Sequence, residues 1–303
     1  MGSAAPGWTT LSGMERVAVE QVWTPTQHTA LWLGAWVTGQ VGYDHLLDGL
    51  ATSGGPHRAV LMDAVVPDVI DVDAPVDQPA LLRLVRAVTE GGEWDRAAEP
   101  PVRLVMSGPG EAPALPAGTE VAAAAMRAGA AIVLRDATPG WHHVLVPDAH
   151  PEGGVAWGWW TVEGGLPEPD HLSPGAADLL LADATRAAAQ SIQASGPGVA
   201  RRGGDPARNG AAAATDPRLL VGMLNDHFDL ADLPDGLPRR AGGLLARADR
   251  VAAILTVARG EDTGAGAAHD PHLIPLWRDI RRARIAAVDH AVREWAGDYA
   301  EGN

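Results

Sequence analysis

Up to about residue 165 this chain alternates short apolar runs with segments of helical period; beyond that point only helical segments follow. That switch limits the fold more than any other feature. Apolar residues recurring three and four apart line one face of a helix, whereas runs of four to eight apolar residues between turn signals fit strands. Thr24-Pro25-Thr26 opens the first helical pattern, because a proline in the first turn gives up an N–H that has no partner there anyway. Leu31, Trp32, Ala35, Trp36, Tyr43, Leu46, Leu47 and Leu50 carry the pattern to Gly54-Gly55-Pro56. It reads as one buried helix, weakened by Gly34, Gly39, Gly42 and Gly49, which also allow a neighbouring backbone to come close.

A strand is expected over 57–62, an acidic loop over 68–77, and a helix over 78–89 stopped by Gly91-Gly92. A second strand is expected over 102–106. Thr119 caps a helix that runs to about Ala128 and is ended by Gly129. Strands over 132–134, 141–146 and 155–162 follow so closely that a meander or hairpin among them is expected. Then Ser173-Pro174 starts a strong helix to about Gln193, and residues 195–215 lack apolar periodicity and read as a flexible insertion. A short helix from Asp216-Pro217 to near Phe228, one after Pro238 to about Arg259, and one from Asp270-Pro271 to near Trp295 complete the chain. The fold class is therefore α/β or α+β: a mixed sheet of about five strands with flanking helices, followed by an all-helical C-terminal portion. The expected division is a disordered N-terminus at 1–13, an α/β portion at 14–165 and a helical portion at 172–298 containing the insertion.

Composition removes several function classes. The formal net charge is −15, which makes binding of nucleic acid or an anionic membrane by the whole surface an unfavourable reading. There is no cysteine, so disulfides, thiolate metal sites and a cysteine nucleophile are excluded. The most apolar long stretch, 30–50, is broken by Gln40, Asp44, His45 and Asp48, and falls short of the ~20 largely apolar residues a span needs. Met1 to Thr10 show no signal-peptide pattern. A cytoplasmic location is the expectation.

Three groups of residues stand out. The turn Ser107-Gly108-Pro109-Gly110-Glu111 lies between a strand and a helix, where backbone N–H groups can cradle an anion. Pro109 removes one donor, Glu111 would repel a phosphate, and no lysine exists in the chain, so a structural turn is the favoured reading. With Asp63, His142 and His143, the residues Ser107, Gly108 and Gly110 form the ligand-binding candidates. His142 and His143 are adjacent on a strand and point to opposite faces. His150 and Glu152 near them, the pair His269 and His272, and the aspartates between 63 and 77 are each better explained by folding than by metal ligation, so neither a metal site nor a cofactor is expected.

Aromatic usage is unusual, with eleven Trp against two Tyr and one Phe. Trp157 and Trp159 share one face of a strand and Trp160 takes the other. Core filling is the favoured explanation, but if that strand is exposed the pair becomes a partner-binding candidate. The final helix carries Arg281, Arg282 and Arg284, also partner-binding candidates. Residues 239–295 hold ten Arg against seven acids, and residues 1–110 hold six against thirteen. Charge matching within the molecule or between protomers accounts for this asymmetry; recognition of an anionic partner is the sharper alternative.

The run Arg103-Leu104-Val105-Met106-Ser107-Gly108-Pro109-Gly110, the segment Leu115-Pro116-Ala117-Gly118, the stretch 122–133 and the helix around Trp32 to Leu50 resemble a recurring pattern in actinobacterial proteins of unknown function. The resemblance implies no catalytic residue. The expectation is a cytoplasmic, non-enzymatic protein that binds a protein partner, or a second copy of itself, or regulates. The alternative is a small-molecule enzyme or ligand-binding protein with a pocket near the 107–111 turn and the 141–146 strand.

Overall fold

A computed structural model describes residues 25–92, 94, 99–149, 154–168, 171–194, 233–261 and 273–302. In chain order the elements are α1 (Pro25–Val37), α2 (Tyr43–Thr52), β1 (His57–Leu61), α3 (Gln78–Thr89), β2 (Val102–Met106), α4 (Glu120–Ala128), β3 (Ala130–Arg135), β4 (Trp141–Ala149), β5 (Val155–Glu163), α5 (Pro174–Ala194), α6 (Arg239–Glu261) and α7 (Leu273–Gly302). The fold is α+β. The expected flexible insertion at 195–215, the short helix at 216–228 and the N-terminus at 1–13 lie outside the described residues.

Local chemistry explains where most elements begin and end. Asp77 accepts a hydrogen bond from the Ala80 N–H and caps α3, with Pro79 in the first turn. Thr119 caps α4 through the Ala122 N–H, and Gly129 closes it in the left-handed conformation at φ 78°. The stretch expected as one helix from Pro25 to Leu50 is instead two. Gly39 sits at φ 75°, which no helix interior allows, and the Thr38 hydroxyl donates to the Gly34 carbonyl, ending α1 one turn before α2 begins. The other glycines in that stretch serve packing. A Cβ on Gly34 would lie 2.7 Å from Val292 of α7, and one on Gly49 would lie 2.0 Å from the Trp32 indole.

The five strands form one sheet in the order β1-β5-β4-β3-β2. β2, β3, β4 and β5 make an antiparallel meander, and β1 pairs parallel with β5. The sheet is therefore mixed, and β1 and β2 are its two edges although they are consecutive strands in the chain. One face carries Leu104, Met106, Ile132, Leu134, Leu145, Trp157 and Trp159 against α1, α3 and the three C-terminal helices. The same cluster takes Leu31 from α1, Leu181 from α5, Leu244 from α6 and Ala287 from α7, so the α/β portion and the helical portion bury a common core. The opposite face carries Val105, Val133, Val144, Val146 and Trp160 against α4 and Leu115. α7 ends at Gly302, past the expected end near Trp295. Among the described residues no helix is long and apolar enough to cross a membrane.

Candidate functional site

The strand register separates the residues that sequence reasoning had grouped. In the β2–β3 pairing Val102 faces Leu134 and Met106 faces Ala130; in β3–β4 Arg135 faces His142. Ser107 and the two histidines thus lie at opposite ends of the strands, about 17 Å apart for His143 and about 20 Å for His142 along the strand direction at ~3.4 Å per residue. Asp63 follows β1, at the far edge of the sheet, and is exposed. The cavity that borders the turn takes its wall from Gly110 and Glu111 but from no residue of 141–146.

Trp157 and Trp159 are wholly buried, as the core-filling reading expects, so the condition for a partner-binding role, an exposed strand, is not met. The helices packed on that face cover it. Each indole N–H instead meets a histidine. Trp157 Nε1 donates to His57 Nδ1 at 2.9 Å, and His57 Nε2 lies 3.1 Å from the Leu50 carbonyl, to which it donates. Trp159 Nε1 donates to His143 Nδ1 at 3.1 Å, and His143 Nε2 donates to Asp136 Oδ2 at 2.8 Å. Both histidines are therefore neutral with the proton on Nε2, because a proton on Nδ1 would face an indole N–H. Burial pushes His57 down to about 4 and the Leu50 carbonyl only partly offsets it. Burial also lowers His143, against the opposing pull of Asp136.

Asp136, His143 and Thr161 lie in the order of a catalytic triad, since Thr161 Oγ1 is 3.3 Å from His143 Nδ1. They cannot work as one. The threonine hydroxyl donates to the Val65 carbonyl and accepts from the Val65 N–H, and Trp159 occupies the imidazole acceptor.

His142 points to the opposite face. Its Nε2 lies 3.3 Å from Glu99 Oε2, while Arg103 Nη1 donates to Glu99 Oε1 at 2.8 Å and Arg135 Nη1 to the Glu99 carbonyl at 2.9 Å. The hydrogen bond from His142, helped by Arg103, lowers Glu99 to about 2 although partial burial opposes it. Among the described residues Arg103 Nη2 and His142 Nδ1 are buried with no hydrogen-bond partner.

The turn and the arginine helix, separate candidates in the sequence, meet in space. Gly108 and Glu111 exchange backbone hydrogen bonds across Pro109-Gly110, with Gly110 at φ 75°, the geometry that a Pro-Gly corner favours. Arg281 Nε donates to Glu111 Oε2 at 2.9 Å across 170 residues of sequence. Its Nη2 lies 2.9 Å from the same oxygen but lacks a hydrogen-bonding angle. Arg278 and Arg282 approach Glu111 Oε1 at 3.6 and 3.7 Å, so three guanidinium groups share one carboxylate. Gly108 leaves room for this docking, since a Cβ there would lie 2.5 Å from Arg281 Nη1 and the guanidinium would have to shift. Ser107 is buried and its hydroxyl donates to the Ala125 carbonyl, tying β2 to α4. Arg284 makes a buried pair with Asp249 of α6 at 2.6 Å. Burial raises Asp279 beside this cluster, against the lowering influence of Arg282 and Arg278.

Against the Glu111 turn lies a cavity of about 380 Å³. Its walls are four consecutive residues of β2, Arg103 to Met106, together with residues 110–112 and 114, residues 167, 168, 171 and 172, and one side of α7. Leu104, Met106, Leu172, Ile285 and Ala286 make it apolar; Arg103, Arg278 and Arg282 bring positive charge, set against Glu111, Glu168 and Asp289. Of the sequence candidates only Gly110 and Arg282 line it. Arg103 was missed, and its signal was available: a charged residue in the middle of the apolar run 102–106 calls for a buried partner. Among the described residues no three His, Asp or Glu side chains gather in a way that could hold a metal ion.

Two family descriptions match the chain: Rv1486c-like protein, N-terminal domain, over residues 26–172, and Rv1486c-like protein, C-terminal domain, over residues 175–285. Similar relatives are the uncharacterized protein Rv1486c of Mycobacterium tuberculosis (strain ATCC 25618 / H37Rv), 27% identical over 88% of this chain and 96% of the relative, and the uncharacterized protein ML1804 of Mycobacterium leprae (strain TN), 26% identical over 88% and 97%. The uncharacterized protein MAV321 of Mycobacterium avium is 26% identical over 91% of this chain and 100% of its own length. The resemblance to actinobacterial proteins read from the sequence is thus shown. No solved structure matches the chain.

Proposed function

Both domains of the Rv1486c-like proteins are present, so the chain belongs to that family, and we propose that it is a non-enzymatic, cytoplasmic binding protein that recognises a carboxylate-bearing partner in the cavity beside β2. One observation carries this: Arg103 lines the cavity and is buried, yet among the described residues its Nη2 has no acceptor. A buried guanidinium N–H without an acceptor costs on the order of 1–3 kcal/mol or more, and a carboxylate is the group that matches it best. Arg278, half exposed at the cavity wall, adds attraction at the entrance. The apolar remainder of the wall suits a ligand whose anionic group is attached to an apolar body.

The two carboxylate–histidine pairs, His143 with Asp136 and His142 with the partly exposed Glu99, support a binding role over a catalytic one. His143 is held at both ring nitrogens and His142 at Nε2, and neither histidine lines the cavity. The test is NMR of methyl-labelled protein titrated with glutarate and octanoate, and with glutaramide and octanamide as neutral controls. Shifts at the Met106, Ile285 and Ala286 methyl groups with the acids, and binding about tenfold weaker with the amides, are expected. Equal binding of acid and amide, or no response to either, overturns the proposal.

A further inference from the structure

We infer that the partner is an extended peptide segment of another protein, bearing a Glu or Asp side chain, that pairs with the outer edge of β2 as a sixth strand. This rests on the carboxylate reading of the cavity and names what carries the carboxylate. The backbone supplies the main observation. The Arg135 N–H donates to the Pro101 carbonyl and the Ser107 N–H to the Gly129 carbonyl. In an antiparallel pair the hydrogen-bonded positions alternate, so 101, 103, 105 and 107 turn their N–H and C=O groups toward β3. Val102, Leu104 and Met106 then turn theirs away from it, to the sheet edge. Among the described residues none of these three takes a backbone partner on that side, and all three are buried.

Buried backbone donors and acceptors are nearly always paired in native proteins, so an edge that is both buried and open is a request for a strand. The cavity lies where that strand would go. Successive residues of a strand point to opposite faces, so a pocket on one face would be lined by alternate residues only. This one is lined by Arg103, Leu104, Val105 and Met106 without a gap, which places it along the edge. Its length fits as well. α7 contributes Arg278 through Asp289 to the wall, about 16 Å at 1.5 Å per residue, close to the ~17 Å of a five-residue strand. β2 has no proline and no bulge in its pairing to hinder addition. Charge sets the preference among peptides: Arg103 Nη2 lacks an acceptor in the wall, and Arg278 stands at the Glu111 end. Strand addition of this kind takes affinity from main-chain hydrogen bonds and specificity from the flanking side-chain pockets.

The experiment uses the full chain, isotope-labelled, and four probes: the blocked peptide acetyl-Thr-Val-Glu-Val-Thr-amide, its Gln analogue, its analogue with alternate backbone nitrogens methylated, and glutarate. The Glu peptide is expected to slow hydrogen exchange of the Leu104 amide by at least about tenfold at saturation. The Gln and N-methylated peptides should each bind about tenfold more weakly, and Arg278→Ala should weaken the Glu peptide while leaving the Gln peptide unchanged. If glutarate binds but no peptide protects Leu104, or if the N-methylated peptide binds as well as its parent, strand addition is wrong and the carboxylate site stands. If neither glutarate nor any peptide binds, both proposals fall.

Discussion

Acidifying the protein from pH 7 to pH 4.5 protonates His57 in the unfolded chain but not in the folded one. The ordinary imidazole value is 6.5, and burial lowers it to about 4 against the raising influence of the Leu50 carbonyl. A base whose folded value is depressed stabilises the fold when neither state binds the proton, that is, above pH 6.5. The stabilisation is lost as pH falls from 6.5 toward 4, where the unfolded chain takes up a proton that the folded chain refuses. At about 1.36 kcal/mol per pH unit, the full effect is roughly 3 kcal/mol, and between about 2 and 3 kcal/mol of it is lost by pH 4.5. Urea denaturation of the protein and of His57→Gln at both pH values measures it. The variant should be less stable at pH 7 by about 1–3 kcal/mol, because the Trp157 and Leu50 hydrogen bonds are disturbed, but its stability should fall less on acidification, by the amount His57 contributed. If both proteins lose the same stability between pH 7 and 4.5, the imidazole of His57 is not held neutral by its surroundings and the reasoning fails.

Other outcomes follow from the same geometry. Below pH 4.5 the fold should weaken further as Glu99 is protonated: its carboxyl is lowered to about 2, so its stabilisation is present above 4.5 and is lost as pH falls toward 2. Glu99→Gln should flatten that part of an acid-denaturation curve. Arg284→Ala should cost about 3–5 kcal/mol in chemical denaturation by leaving Asp249 buried without its partner, and the double variant Arg284→Met, Asp249→Leu should recover most of the loss. Gly108→Ala should cost about 1–3 kcal/mol by pushing the Arg281 guanidinium off the turn, and the cost should shrink in an Arg281→Ala background, read in a double-mutant cycle of melting temperatures. Gly49→Ala should cost at least as much, because the Trp32 indole that its Cβ meets is rigid and buried.

The sequence was legible where the cause of a structure is local. The bounds of α3 and β2 match their expected ranges, 78–89 and 102–106, and Asp77 and Thr119 do as caps what their types and positions imply. Pairing among β3, β4 and β5 was also legible, because short connections leave neighbouring strands few other choices. The break between α1 and α2 was misread: four glycines in one stretch look alike, and only one of them, Gly39, turns to positive φ while Gly34 and Gly49 make room for Val292 and Trp32. Alternation correctly put Trp157 and Trp159 on one face and Trp160 on the other, but it carries no information about whether a face is covered. The site was least legible. Gly110 and Arg282 were named for different reasons, and Glu111 was noted only as a group that would repel phosphate.

What residue order settles here has a range of a few positions: a cap satisfies an N–H three residues on, a glycine permits a turn at its own φ, and period assigns a side chain to a face. Charge, the lack of cysteine and the change from mixed to helical segments are also plain without coordinates. Folding alone decided that β1 and β2, consecutive in the chain, stand at opposite edges of the sheet. It decided too that Glu111 meets Arg281, and that Leu104 turns its backbone toward a cavity rather than a neighbouring strand. The reason is that such contacts depend on how apolar faces are shared among distant elements, a collective balance of burial that no short stretch of the chain contains.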